Sequence, residues 1–269
     1  MRKAFTMNKF KESCINDGEQ CLFLKFHRST SLSLKDSHLF ENLIARAFDD
    51  IEFMKGIENN LPSNRWNREG DIRLKPSKIE KNIIDCILER KSDREFNVNS
   101  EIDFETFSSI LLYSYGPSNF GKYTVPSAGG TYPIHLLVNV KNIKNIEPGL
   151  YEYNHKNGTV RLLSKNYQET EKFLTGCQSL MQQSAFSIHF IGNPNLIAYK
   201  YGDRSYRFLT LEAGHISQNL SLVSTAYSIG SVCSGGFLDG EFIDYLTYYI
   251  DEKFSEKVYV YEMYFGKLL

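Results

Sequence analysis

The chain has 269 residues, enough for one large or two modest domains with a sizeable core, and its 42% hydrophobic and 23% charged residues are those of an ordinary soluble globular protein. A formal net charge of −1 and a pI of about 6.6, with Lys and Arg scattered rather than blocked, exclude a nucleic-acid partner and a polybasic membrane patch. No run approaches the ~20 apolar residues of a membrane helix, Lys9, Lys11 and Glu12 interrupt any signal-peptide core, and five widely spaced cysteines without Cys-x-x-Cys read as reduced thiols, so a cytoplasmic location is expected.

The first part of the chain, residues 1–76, reads as an N-terminal extension with one helix and a long polar loop. The helix is expected from Asp36-Ser37 as cap through Phe40, Leu43, Ile44, Phe48, Ile51 and Phe53, and the loop over Asn59 to Asp71. Residues 77–269 form the main domain. Ile79, Ile83, Ile84, Ile87 and Leu88 recur at helical spacing and stop at Arg90-Lys91-Ser92. A second helix opens at Asp103 and ends at Gly116. A strand over His135 to Val140 is followed by a hairpin, Leu150 to Tyr153 and Thr159 to Leu163, with Gly158 at its turn. Further along, the pattern predicts a helix over Gln168 to Gln182 and a strand over Phe186 to Ile191. A long helix is expected from Asp203 to Ser228, ended by Gly230 and apolar on more than one face. A helix from Asp239 to about Ile250 and a strand from Val258 to Phe265 complete the order. Helices mixed with hairpin-linked strands indicate an α+β fold with a mainly antiparallel sheet flanked by helices. No Gly-x-Gly-x-x-Gly follows a strand, which argues against a Rossmann site.

Three stretches carry chemistry. Arg90-Lys91-Ser92-Asp93-Arg94, directly after a helix, groups charges and a hydroxyl that can grip a phosphate dianion. Pro126-Ser127-Ala128-Gly129-Gly130 is small enough for its backbone to approach a flat ring, with N–H groups and the Ser127 hydroxyl available to heteroatoms. Tyr199-Lys200-Tyr201-Gly202-Asp203-Arg204-Ser205-Tyr206-Arg207 places a lysine and a tyrosine side by side just ahead of the long helix. Glu212 and His215 share one helical face, but a bundle-type di-iron site needs two such pairs and the sequence has one, so no metal is expected.

Together, in this order, these stretches resemble the nitroreductase-like, FMN-dependent dehydrogenases of the SagB type, which oxidise azoline rings in ribosomally made peptides. The resemblance covers roughly Ser77 to Leu269. It implies a nitroreductase fold, a homodimer with FMN near the subunit interface, and a cyclodehydratase partner that forms the azolines in a precursor peptide. It implies that Arg90, Lys91, Ser92 and Arg94, with Lys267 near the chain end, hold the flavin phosphate, Lys91 standing where the family pattern has a second arginine. Pro126, Ser127, Ala128 and Gly129, and on a second side Ser234, Gly235 and Gly236, would then line the isoalloxazine, and Lys200 and Tyr201 would be the catalytic pair. Aromatising an azoline removes a hydride and a neighbouring proton. Lys200 would either take that proton, which requires a lowered pKa, or remain a cation that stabilises the reduced flavin. Two rivals remain open: an NAD(P)H-dependent flavin reductase acting on a nitro, quinone or dehydroamino-acid group, and a flavin-free scaffold subunit of a peptide-modifying complex.

Overall fold

The computed structural model describes residues 26, 29 to 31, 34 to 59, 61, 68 to 173 and 178 to 269. Its frame is a seven-stranded sheet in which every strand pairs antiparallel to its neighbours. The strands are β1 (Asp71–Arg73), β2 (Ile134–Val140), β3 (Gly149–Asn154), β4 (Thr159–Ser164), β5 (Phe186–Gly192), β6 (Ile229–Ser234) and β7 (Val258–Lys267), in the order β1-β4-β3-β2-β5-β7-β6. The expectation of an α+β fold with a mainly antiparallel sheet flanked by helices therefore holds. Among the described residues no helix is long and apolar enough to cross a membrane.

The sheet is covered on both faces, as its sequence requires: β5 is buried at every position. Ile188 and Phe190 point into the larger core with Phe107, Ile110, Leu209, Ala213, Ile216 and Leu220. That face carries the helices Phe104–Tyr115 and Ser205–Ala226. Leu137, Leu150, Ile191, Phe242, Leu246, Phe254 and Tyr259 fill a second core on the other face.

Several elements differ from expectation for local reasons. The N-terminal helix is two helices, α1 (Leu34–Asp49) and α2 (Ile51–Asn59). Asp50 divides them because its carboxylate accepts the Phe53 N–H at 2.9 Å, the bond of a capping residue. The predicted loop over Asn59 to Asp71 lies mostly outside the described residues, but its end becomes β1, tied to β4 by the Arg161–Asp71 ion pair at 2.6 Å. Helix α3 (Ile83–Glu89) starts later than the apolar spacing suggests, at the Asn82 cap, and leaves Ile83, Ile84, Ile87 and Leu88 exposed. Helix α4 (Phe104–Tyr115) and the hairpin turn at Gly158 (φ 64°) match. In place of one helix over 168–182 there is a 3-10 stretch (Tyr167–Phe173) and α5 (Gln178–Gln183); residues 174 to 177 are not described.

Between β5 and the long helix lies a short helix not expected from the sequence, α6 (Asn195–Tyr201), and a single 3-10 turn, Gly202–Arg204. Helix α7 (Ser205–Ala226) ends before Gly230, because Ser228 takes the left-handed position (φ 56°) and Gly230 belongs to β6. Helix α8 (Asp239–Tyr245) continues as one π-turn, Leu246–Ile250.

Candidate functional site

The clearest convergence is between the small-residue loop and the Lys-Tyr pair. Ala128–Gly130 form a 3-10 turn in which Gly129 has φ 64°. A Cβ on Gly129 would lie 2.9 Å from the Tyr201 hydroxyl and 3.2 Å from both Cδ and Nζ of Lys200. Glycine leaves both side chains where they stand, so the loop and the pair are packed against one another. The Ser127 hydroxyl accepts the Tyr132 N–H at 2.8 Å and fixes Tyr132 at φ 46°, a conformation costly for an aromatic residue.

Lys200 is 3% exposed, and desolvation lowers its pKa from the ordinary lysine value. No carboxylate lies within ion-pair distance of it among the described residues; its Nζ instead sits 3.8 Å from the centre of the Phe48 ring. Burial raises the Tyr201 pKa, and its ring packs on Phe208 at 4.9 Å and Phe40 at 6.1 Å. The N-terminal helices hold this arrangement. Asp50, besides capping α2, accepts the Tyr199 hydroxyl at 2.7 Å, Phe53 packs on Tyr199 at 5.0 Å, and Arg204 donates to the Thr30 carbonyl at 2.9 Å.

Behind the loop stands Glu212, 2% exposed. Burial pushes its carboxyl up to about 7, against the opposing hydrogen bonds of Ser127, Tyr115 and the Ile134 backbone. His215 is exposed, so the pair expected on one face is divided between core and surface. The burial stripe of α7 runs through Leu209, Glu212, Ala213 and Ile216 and passes His215 by.

The basic cluster lies elsewhere. Residues 93 to 97 zip along the far end of the sheet, with the Asp93 N–H on the Ser231 carbonyl at 3.0 Å and the Asn97 N–H on the Lys267 carbonyl at 2.8 Å. Arg90, half-buried at the end of α3, lies close enough to Cys233 to oppose the burial that raises that thiol's pKa. Ser92, Arg94 and Lys267 are exposed, while Lys91 is engaged with Asp93 at 3.1 Å. The Ser234–Gly236 turn follows the same edge strand, the Ser234 hydroxyl accepting the Gly236 N–H at 3.0 Å. Its support is Glu262, which also receives Tyr264 at 2.8 Å and Tyr259 at 3.1 Å and which burial pushes up to about 7.

The structure thus brings Arg90, Ser92, Arg94, Lys267 and Ser234–Gly236 to one edge of the sheet, and Pro126–Gly130 with Lys200 and Tyr201 to another place. Ile134, which the loop enters, is level with Gly192 and Val258. Lys267 stands nine residues further along β7, about 30 Å at the strand rise. Phe48, Phe40 and Glu212 were not legible as site residues; only a shared helical face pointed to the first two, and an isolated Glu-x-x-His to the third.

The Nitroreductase family profile matches residues 87–267. A protein of Methanocaldococcus jannaschii that bears the name of a nitroreductase is 32% identical over 168 residues, 62% of this chain and 84% of that protein. The solved structure of a nitroreductase-named protein from Anabaena variabilis superposes with a TM-score of 0.63 at 24% identity over 77% of this chain. This chain spans only 44% of its length. The E. coli microcin synthetase McbBCD complex with truncated pro-MccB17 bound includes a chain that superposes with a TM-score of 0.57 at 17% identity, over 90% of this chain and 99% of that one. That match reaches well into the residues before 77. Both likenesses are of fold.

Proposed function

The chain belongs to the nitroreductase family, and within it we propose an FMN-dependent dehydrogenase that oxidises peptide thiazolines and oxazolines to thiazoles and oxazoles. The observation that carries this reading is the Lys200–Tyr201 pair packed against Gly129. The residues fit the cofactor. Arg90, Ser92, Arg94 and Lys267 offer donors to a phosphate at one sheet edge, and the space beside Gly235, where a Cβ would meet nothing, leaves room for a ring. When bound, FMN supplies acceptance of the hydride. The protein's own work is to place the azoline ring and to manage its proton. The desolvation that lowers the pKa of Lys200, with no carboxylate among the described residues to restore the charge, favours its role as the base over that of a permanent cation. Tyr201, its phenol kept neutral by burial, hydrogen-bonds or relays beside it.

The phosphate-gripping residues and the Ser234–Gly236 turn belong to the β6–β7 edge of the sheet, whereas the Pro126–Gly130 loop leads into β2, on the far side of β5. We therefore assign the Pro126–Gly130 side of the ring site to a second copy, making a cytoplasmic homodimer. The exposed Ile83, Ile84, Ile87 and Leu88 of α3, with Leu211 on the adjoining α7, are its apolar contact surface. The likeness to a chain of a microcin synthetase complex supports a peptide substrate and a cyclodehydratase partner. A reductase on the same scaffold is the second reading, favoured by the name of the M. jannaschii relative. The deciding experiment supplies the FMN-loaded protein with a peptide that already carries azolines. Loss of two hydrogens per ring, read by mass spectrometry, is expected; unchanged peptide together with rapid NADPH-driven reduction of a nitro or quinone acceptor would replace this reading with the second.

A further inference from the structure

We propose that Phe48, carried on the N-terminal helix α1, is a positioning residue for the Lys200 ammonium, which also lies against Gly129. Gly129 stands so close that a Cβ there would lie 3.2 Å from Nζ, and the Phe48 ring centre is 3.8 Å from the same nitrogen. A cation above an aromatic face at that distance is attracted by the ring quadrupole. The rest of the N-terminal layer is fastened as such a role requires. Phe40 packs on Tyr201, Phe53 packs on Tyr199, and Asp50 takes the Tyr199 hydroxyl, so the ring is held at a fixed height over α6. Phe48 itself is 56% exposed, so its placement owes little to core burial.

The charged or imidazole side chains described on the elements around Lys200 are His38, Glu41, Arg46 and Asp49 on α1, Asp50 between the N-terminal helices, Glu52, Lys55 and Glu58 on α2, Asp203 and Arg204 in the following turn, and Arg207, Glu212 and His215 on α7. The Ala128–Gly130 turn has none. None is in ion-pair contact with Nζ, so the Phe48 ring at 3.8 Å, with the Tyr201 ring further off at 5.5 Å, favours the charged form while burial disfavours it. The two effects therefore oppose one another at the same nitrogen. The significance for catalysis rests on Lys200 being the reactive residue; the placement of Phe48 does not.

The test exploits a difference in sign. Phe48→Leu keeps the cover and removes the π face, so the pKa of Lys200 should fall by roughly half a unit to one unit. Phe48→Trp, with a stronger face, should hold or raise it. A residue that only fills space would act oppositely on replacement by Leu, because looser cover hydrates the ammonium and raises the pKa. Competitive labelling of the FMN-loaded full chain with limiting acetic anhydride across pH, with Lys200 followed by mass spectrometry, reads the value without any azoline chemistry. An unchanged or raised value in Phe48→Leu, or a lowered one in Phe48→Trp, overturns the proposal. If Phe48→Leu does not retain FMN, the Trp variant alone still decides. Azoline oxidation measured alongside separates the two readings. A labelling shift that the acid limb of the rate profile does not follow removes Lys200 as base and leaves the assignment of Phe48 intact.

Discussion

Two serine-bearing turns are built on a shared plan and finished differently. Ser127 and Ser234 each lean on a buried glutamate, Glu212 and Glu262, and burial pushes both carboxyls up to about 7. Glu262 is anchored in a connected polar layer. Tyr259 and Tyr264 donate to it, Tyr259 bonds His189 at 2.5 Å, and His189 meets Asn139 at 3.0 Å, all within the sheet. Glu212 has lighter support: besides Ser127 it has the Tyr115 hydroxyl at 3.5 Å, and its Oε2 has no hydrogen-bond partner among the described residues. The fronts of the turns reverse this order. Gly129 is pressed against Lys200 and Tyr201, while a Cβ on Gly235 would meet nothing. One turn is fixed from the front by the groups it serves and the other from behind by the sheet, leaving its outer side open. A group that must meet a reacting atom needs that frontal precision, whereas a wall that receives a ligand needs space.

If the first turn is the chemical one, its partners should govern rate and not holding. Lys200→Ala and Tyr201→Phe should retain FMN and lose about 10²- to 10⁴-fold in azoline oxidation, the usual contribution of an acid–base group. The wild-type rate should rise with pH through the lowered pKa of Lys200, because only the neutral amine accepts a proton. Oxidation near the wild-type rate in both variants would erase the distinction between the turns.

The basic edge makes the converse prediction at a smaller size. Arg90→Ala or Arg94→Ala should weaken FMN binding by about 10- to 100-fold each, the worth of one charge-assisted hydrogen bond, with no change in the rate of the fully loaded enzyme. Lys91→Ala should do less, since Lys91 is already spent on Asp93. Flavin titration followed by fluorescence would show this ranking, and equal losses at all three positions would contradict it.

Much of this was legible in the chain because its signals are local. The strands Ile134–Val140 and Phe186–Gly192 announce themselves by short, largely apolar runs, and α4 by Asp103 and Gly116 at its ends. The three-residue β1 has too few positions to show alternation, and its pairing rests on an ion pair with a residue ninety positions away. The break at Asp50 was hidden because a capping aspartate between two apolar stripes looks like a polar residue on one helix. The site shows the same division. Lys200, Tyr201 and the glycines stand out as short motifs, whereas the placement of Phe48 on Lys200 joins residues about 150 positions apart and leaves no trace in spacing.

The finest test sets the two glycines against each other. Gly129→Ala meets a double obstacle: a left-handed backbone that costs a side chain about 1–2 kcal/mol, and a Cβ 2.9 Å from the Tyr201 hydroxyl. The obstructing atoms are the ends of two flexible side chains, so the fold can absorb the methyl by moving them. The stability loss should therefore stay near the backbone cost, while displacement of Lys200 and Tyr201 should lower oxidation by about tenfold beyond what unfolding explains. Gly235→Ala, with no left-handed backbone and no neighbour within reach, should change stability by less than about 0.5 kcal/mol. Its effect belongs to the ligand instead, as a modest weakening of FMN where the new methyl enters the space left for a ring. Thermal melts without flavin should then separate the variants, and flavin titrations should separate them in the opposite order. If Gly129→Ala retained full oxidation with its stability lowered as expected, the loop would be a structural turn that merely happens to touch the pair, and the contrast between the two walls would be lost.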